Sequence, residues 1–391
     1  MSDTQRMPQM PAQALPSWRR AVLKVGSNLL AADGGGLTSR YASGLADFIQ
    51  SSRAAGRQVV LVSSGAVAAG RAQMRAHAPS GGDLAARQAL AALGQAPMIA
   101  LWQSLSPRPV AQVLLTHDDV RNRRRYLNAR ATLRELLAFD VLPVVNENDT
   151  VAVDELKLGD NDNLAAIVAA LVDADLLLIA SDIDALYTAD PRRNPDAVPL
   201  QRIEALTHDV LAMAGGSGSA VGTGGMRTKL EAASKASAAG IATAIFSGRN
   251  ERTVLALAND QLHGTFIVAG RSRMQARKYW LRHAPASSGC IRVDAGAVRA
   301  LWQGQASLLP GGVLDVAGDF HRGDLVEIED EAGRRVGRGL SQYGAGEVKR
   351  VSGKHSRDIQ EVLGFSYGAE IVHRDDLTTF TDINNTGDSD A

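Results

Sequence analysis

A single cysteine, Cys290, stands among the 391 residues, which excludes an internal disulfide and a cysteine-built metal site. That scarcity fits a reducing compartment, so a cytoplasmic location is expected. No apolar run reaches the roughly 18 residues a helix needs to cross a bilayer, and no membrane role is expected. Residues 1–17 carry Pro and Gln without the hydrophobic stretch of a secretion signal. They read as a disordered leader, and residues 380–391 as a disordered tail. An excess of either charge is missing too. Lys plus Arg and Asp plus Glu both total 42, so net charge points to neither nucleic acid nor a membrane surface.

What is present begins with an unusual stretch, Asn146 to Asn163 (NENDTVAVDELKLGDNDN), holding four Asn and six Asp or Glu in eighteen residues. It follows an apolar run, Val141–Val145, and precedes an Ala-rich helical pattern. Polar loops at the carboxyl ends of strands are where open α/β sheets place their ligands. The side chains offer acceptors for an ammonium group, amide donors for a carboxylate, and carboxylates for a hard cation, a set that suits a small zwitterion. Taken alone, the stretch suits a solvated, turn-rich loop equally well. A calcium loop is set aside, because Leu164-Ala165 follow Asp160–Asn163 and no glycine stands at the sixth position.

Earlier, Ala21–Val25 reads as a buried strand ending at Gly26-Ser27-Asn28. Lys24 inside it is costly unless a charged partner awaits it; it is a candidate phosphate contact, against the alternative of snorkelling to solvent. Val59–Val62 leads into Ser63-Ser64-Gly65 and a small-residue helix. Such a turn directs amides at an anion or simply allows close packing. Arg121–Arg130 (RNRRRYLNAR) reads as a solvated helix face. Leu176–Ala180 is a further strand, ending in Ser181-Asp182. Ala214–Lys229 carries six glycines, lacks the G-K-[ST] ending of a P-loop and does not match G-x-G-x-x-G. A flexible linker is the alternative; Thr228-Lys229 before a helix at Leu230–Ala239 favours a phosphate loop. Ile241–Phe246 is another strand.

Strands interleaved with helices predict an α/β fold, a mostly parallel sheet covered by helices on both faces. After about Arg282 the texture changes. Leu325–Asp330 alternates with period two, Ala332-Gly333 turn, and Arg334–Arg338 return, which predicts a small β-rich second domain.

Several spaced segments together resemble the glutamate 5-kinase (γ-glutamyl kinase) branch of the amino acid kinase family. They are Lys24-Val25-Gly26-Ser27, VSSGAVAAGR, LPVVNENDTVA with GDNDNLAA, ASDIDALYTADPR and GTGGMRTKL, in that order. SLLPGGV, GDFHRGD and VHRDD resemble the PUA module, a β-barrel, attached to bacterial members. The resemblance runs from Ala21 to Arg374 and implies an amino acid kinase domain over 18–281 and a PUA domain over 286–374. Ser181 departs from the threonine common there, and Arg227 from a small residue.

The implied activity is ATP-dependent phosphorylation of the side-chain carboxylate of L-glutamate to L-glutamyl 5-phosphate, the first step of proline biosynthesis. By the same resemblance, Lys24, Lys229 and Asp162 form the catalytic set, and Ser64, Asp149 and Asn161 bind the substrate. Lys24, Ser181, Asp182, Thr223, Gly224, Gly225, Met226, Arg227, Thr228 and Lys229 bind the nucleotide. ATP is the co-substrate with Mg2+, and no protein metal ligand is assigned. A homo-oligomer, feedback inhibition by proline beside the substrate loop and hand-over of the labile product to a glutamyl phosphate reductase are also implied. RNA binding by the second domain is not expected, because its Lys and Arg do not outnumber its Asp and Glu.

The nearest rival is a sister kinase acting on aspartate, acetylglutamate, carbamate or uridylate. A different class, an RNA-binding protein with the α/β part as scaffold, would require salt-dependent binding.

Overall fold

The computed structural model describes residues 10–31, 36–74, 84–152, 161–191, 194, 196–213, 225–270, 289–303 and 306–380. The chain divides into two units, Met1–Ser272 and Arg273–Ala391.

The first unit is built on eight strands: β1 (Arg20–Val25), β2 (Gln58–Ser63), β3 (Val110–Leu115), β4 (Leu142–Glu147), β5 (Leu176–Ser181), β6 (Arg202–Ile203), β7 (Ala242–Ser247) and β8 (Gly264–Ile267). They lie in the order β3-β4-β2-β1-β5-β7-β8-β6. The run from β3 to β7 is parallel throughout. β8 then pairs antiparallel with β7, and the short β6 pairs parallel with β8.

Nearly every residue of β1, β2, β5 and β7 is buried, because helices cover both faces of the sheet. The helices that matter here are α1 (Ala42–Ala54), α2 (Ala66–Met74), α3 (Leu84–Ser104), α4 (Arg123–Ala138), α5 (Asn161–Leu171) and α6 (Met226–Ala238). The two-residue period of a strand sorts its side chains between two cores. Leu23, Val25, Leu61 and Leu178 join Phe48 of α1 and Met98 and Trp102 of α3. Val22, Val60, Val62, Leu177 and Ile179 join Leu164 of α5 and Leu230 of α6. Lys24 shares the parity of Val22, so the pleat sends it toward α5 and α6.

Two glycines set how α2 meets α3. A Cβ on Gly70 would fall 1.9 Å from the Leu90 carbonyl oxygen, and one on Gly94 would fall 1.8 Å from that of Ala66. Only hydrogens fit there, so the helices pack backbone to backbone.

Several expectations need correction. The second half of the expected leader is ordered: Gln13–Ala14 pairs antiparallel with Gln261–Leu262, and Met10 and Leu15 are buried, as is Trp18 just beyond it. These apolar side chains, isolated among Pro and Gln, are anchored by packing, and the Trp18 indole donates to Asp260 at 3.1 Å. Residues 1–9 and 381–391 lie outside the described residues. α6 begins at Met226 with Gly225 as its N-cap, so Thr228-Lys229 sit inside its first turn rather than before a helix.

In the second unit, β9 (Gly289–Val293), β10 (Val313–Gly318), β11 (Leu325–Glu329), β12 (Arg335–Ser341) and β13 (Val372–Thr379) form one sheet in the order β10-β9-β11-β12-β13. The expected hairpin is the antiparallel β11–β12 pair. β9 and β11 are parallel, and the sheet has a core of its own around Ile291, Val326 and Tyr343. The last strand runs to Thr379, beyond the expected end at 374.

Candidate active site

Because β1, β2, β4 and β5 are parallel, their carboxyl ends share one edge of the sheet. The residues that follow those ends line a cleft of about 870 Å³: Gly26–Asn28, Ser64–Gly65, Asp149 and Asp182, with Asn146, Glu147 and Ser181 at the strand tips. Asn161 from α5 and Lys229 from α6 complete it, with Lys24 on its floor.

Lys24 and Lys229 converge on one carboxylate. The Lys24 Nζ lies 2.5 Å from Asp162 Oδ1, and the Lys229 Nζ lies 3.0 Å from Oδ2. Asp162 is fully buried, and both lysines are nearly so. The Thr228 hydroxyl is 3.1 Å from Asp162 Oδ2 and 2.8 Å from the Gly225 carbonyl oxygen; its single proton serves one acceptor at a time. Burial by itself pushes the Asp162 carboxyl up, but the charges of Lys24 and then Lys229, with their hydrogen bonds, outweigh it. The group therefore titrates below the usual carboxylate range. Asp162 also sits in the first turn of α5, where the helix dipole favours an anion.

A second cluster is neutral. The Asn161 amide nitrogen donates to Ser64 Oγ at 2.8 Å and to Asn146 Oδ1 at 2.9 Å, with the Ser63 carbonyl at 3.3 Å. Both amide protons are thereby committed to protein, which leaves the carbonyl oxygen as the side chain's remaining polar atom. Asp149 lies in the turn closed by the Val151 and Ala152 amides on the Asn148 carbonyl, and this turn is tied to α3 where Gln88 donates to the Ala152 carbonyl at 3.0 Å. Beneath Ser64, the buried Trp102 indole donates to Ser63 Oγ at 2.8 Å, and that hydroxyl donates to the Ser64 carbonyl at 3.1 Å.

On the third side, Asn28 donates to Asp182 Oδ2 at 3.0 Å and the Ser181 hydroxyl donates to Oδ1 at 3.2 Å. Burial works to raise the Asp182 carboxyl, but the Asn28 amide, its own backbone N–H and Ser181 outweigh it and hold it below the ordinary value. The serine at 181 still supplies a hydroxyl, so its departure from threonine removes only a methyl group.

The structure thus brings Lys24, Lys229, Ser64, Asp149, Asn161, Ser181 and Asp182 to one cleft, with Asp162 buried against the two lysines. Thr223 and Gly224 lie outside the described residues. Gly225 is the N-cap of α6. Met226 packs beside the core, and the Arg227 side chain is exposed, paired with Glu231 at 2.8 Å, so neither side chain lines the cleft. Asn28, Asn146 and Glu147 had no assigned role in the sequence. Their one signal was position: each stands at or just beyond the carboxyl end of a parallel strand. Among the described residues no three His, Cys, Asp or Glu side chains converge as a metal cage.

Comparison with known proteins follows the same division of the chain. The model of the Amino acid kinase family matches residues 19–247, and that of the PUA domain matches residues 289–363. A protein of Xanthomonas oryzae pv. oryzae named Glutamate 5-kinase is 67% identical over 359 residues, covering 91% of this chain and 99% of that protein. A protein of Xylella fastidiosa with the same name is 65% identical over 373 residues, covering 94% of this chain and 97% of that one.

Proposed function

The chain belongs to the amino acid kinase family, and on that basis we propose that it transfers the γ-phosphoryl group of ATP to the side-chain carboxylate of L-glutamate. The product is L-glutamyl 5-phosphate, and the step is the first of proline biosynthesis. High identity over nearly the full length of relatives named for this reaction supports the choice of acceptor. The observation that carries the mechanism is the meeting of Lys24 and Lys229 on Asp162 in the cleft.

The nucleophile, a carboxylate with a pKa near 4, is already ionised at neutral pH and needs no general base. The obstacle is repulsion between that anion and the triphosphate, so electrostatic stabilisation carries the reaction. In this reading Lys24 and Lys229 neutralise charge on the transferring phosphoryl oxygens. Asp162 is held ionised by both and orients them. The Gly65 backbone amide is a further donor, whereas that of Gly26 is taken by the Ala180 carbonyl at 3.3 Å. Asn161, fixed by Ser64 and Asn146, presents its carbonyl oxygen to the substrate ammonium together with Asp149. Ser181, Asp182 and the segment 223–229 take the nucleotide.

The donor set suits a Mg2+ ion that keeps phosphate and water ligands, since such ions use one or two carboxylates rather than a protein cage. Asp182, just past the end of β5 in the cleft, would be the carboxylate to hold it. Bound there, the ion would neutralise charge on the nucleotide phosphates.

The direct test is incubation with ATP, Mg2+ and L-glutamate, with hydroxylamine to trap the acyl phosphate. Glutamate-dependent hydroxamate is the expected product; ATP consumption that responds instead to aspartate, acetylglutamate, carbamate or uridylate would move the chain to a sister reaction. By the same family resemblance we propose a cytoplasmic homo-oligomer that is inhibited by proline and passes its labile product to a glutamyl phosphate reductase. A proline titration of the hydroxamate assay and sedimentation of the full chain test the inhibition and the oligomer.

A further inference from the structure

Four cationic side chains line the cleft, and the phosphoryl-transfer chemistry employs two of them. Lys24 and Lys229 are buried on Asp162, whereas Arg71 and Arg87 are exposed. Among the described residues neither of these guanidinium groups has an ion-pair or hydrogen-bond partner, although Glu147, Asp149 and Asp182 line the same cleft. Two unpaired cations facing one cavity repel each other, an arrangement that an incoming anion relieves.

Their location follows from the helix crossing. Gly70 lies against the backbone of Leu90. Arg71 follows Gly70, and Arg87 is one turn before Leu90 on the same side of α3. The two arginines therefore sit on adjoining turns of helices that cannot slide apart. Gln88, next to Arg87, donates to the Ala152 carbonyl at the end of the turn carrying Asp149. That contact puts Arg87 beside the acceptor loop.

An α-amino acid presents an ammonium and an α-carboxylate on one carbon. Asn161 and Asp149 answer only the first of these, being an oriented carbonyl and a carboxylate. The planar guanidinium, with paired N–H donors, matches a carboxylate better than any other side chain. We propose that Arg71 and Arg87 receive the α-carboxylate of the acceptor amino acid. This deepens the assignment of L-glutamate as acceptor and rests on it. Because the contact is made alike in ground and transition states and lies away from the migrating phosphoryl group, it acts through KM rather than kcat.

The test compares L-glutamate with 4-aminobutanoate, the same skeleton without its α-carboxylate. In the hydroxamate assay, the R71Q/R87Q enzyme is expected to show a glutamate KM raised about tenfold or more, with the KM for ATP within about twofold of wild type. The Ki of 4-aminobutanoate against glutamate is expected to stay within about twofold, since that molecule has nothing to lose. R87K, which keeps the charge but not the fork, is expected to fall between wild type and R87Q. An unchanged glutamate KM, or a parallel rise in KM and Ki, overturns the assignment. A wild-type protein that makes no glutamate-dependent hydroxamate would instead remove the acceptor identity itself.

Discussion

Lys24 and Lys229 hold opposite oxygens of the same buried carboxylate, at 2.5 and 3.0 Å. One comes from the end of a central strand and the other from the first turn of a helix beyond a glycine-rich stretch. The pair exists only because β1 and α6 flank α5, and the carboxylate that joins them is part of the fold as well as of the site.

Asp162→Asn is therefore expected to damage stability before chemistry is considered. It leaves two buried ammonium groups sharing a neutral amide. Breaking a buried pair by removing one partner costs about 3–5 kcal/mol, and the urea midpoint should fall accordingly. The pH dependence has a definite sign. The folded-state pKa of Asp162 is depressed, so its contribution is complete above the unfolded carboxylate value, about 3.9. It is lost as pH falls through the lower folded value. The stability gap between wild type and Asp162→Asn should be level from neutral pH down to about 4 and close below it. A gap that instead closed near pH 6 would mean that Asp162 is not held ionised by the lysines.

Gly94→Ala sets two magnitudes against each other. Alanine gains about 1 kcal/mol of helix propensity over glycine. Its methyl would meet the Ala66 carbonyl oxygen at 1.8 Å, and backbone cannot yield as a side-chain tip can. Overpacking of about 1–3 kcal/mol or more should win, lowering the melting temperature and loosening the Ser64-Gly65 turn at the start of α2. A variant as stable as wild type would show that α2 and α3 are not in backbone contact.

Asp149→Ala separates the two substrates. With Asp149 on the acceptor side, the KM for glutamate should rise by about tenfold or more while that for ATP stays within about twofold. Equal effects on both would place Asp149 in a shared structural role.

Much of this was legible in the chain. Strands covered on both faces must be apolar throughout, so β1, β2, β4, β5 and β7 stood out as runs of Val, Leu, Ile and Ala. β3 did not, because Gln112 interrupts a half-buried edge strand, nor did the four-residue β8. Lys24 announced itself as a charge inside an apolar strand, whereas Asp162, set in the polar run Asp160–Asn163, was marked only by the family resemblance. Asn146 and Asn28 did not, since asparagine near a turn is ordinary and only three-dimensional proximity shows that one orients Asn161 and the other Asp182. The order of Met10 and Leu15 was hidden because spaced apolar residues have no period until a partner strand supplies one.

The central claim is that two cations flanking Asp162 act on the migrating phosphoryl group. Its most direct test is turnover of Lys229→Ala in the glutamate hydroxamate assay at saturating ATP and glutamate. By comparison with other deleted transition-state donors, kcat should fall by about 10²-fold or more; a Lys229→Ala enzyme that folds and turns over at close to the wild-type rate would contradict the account.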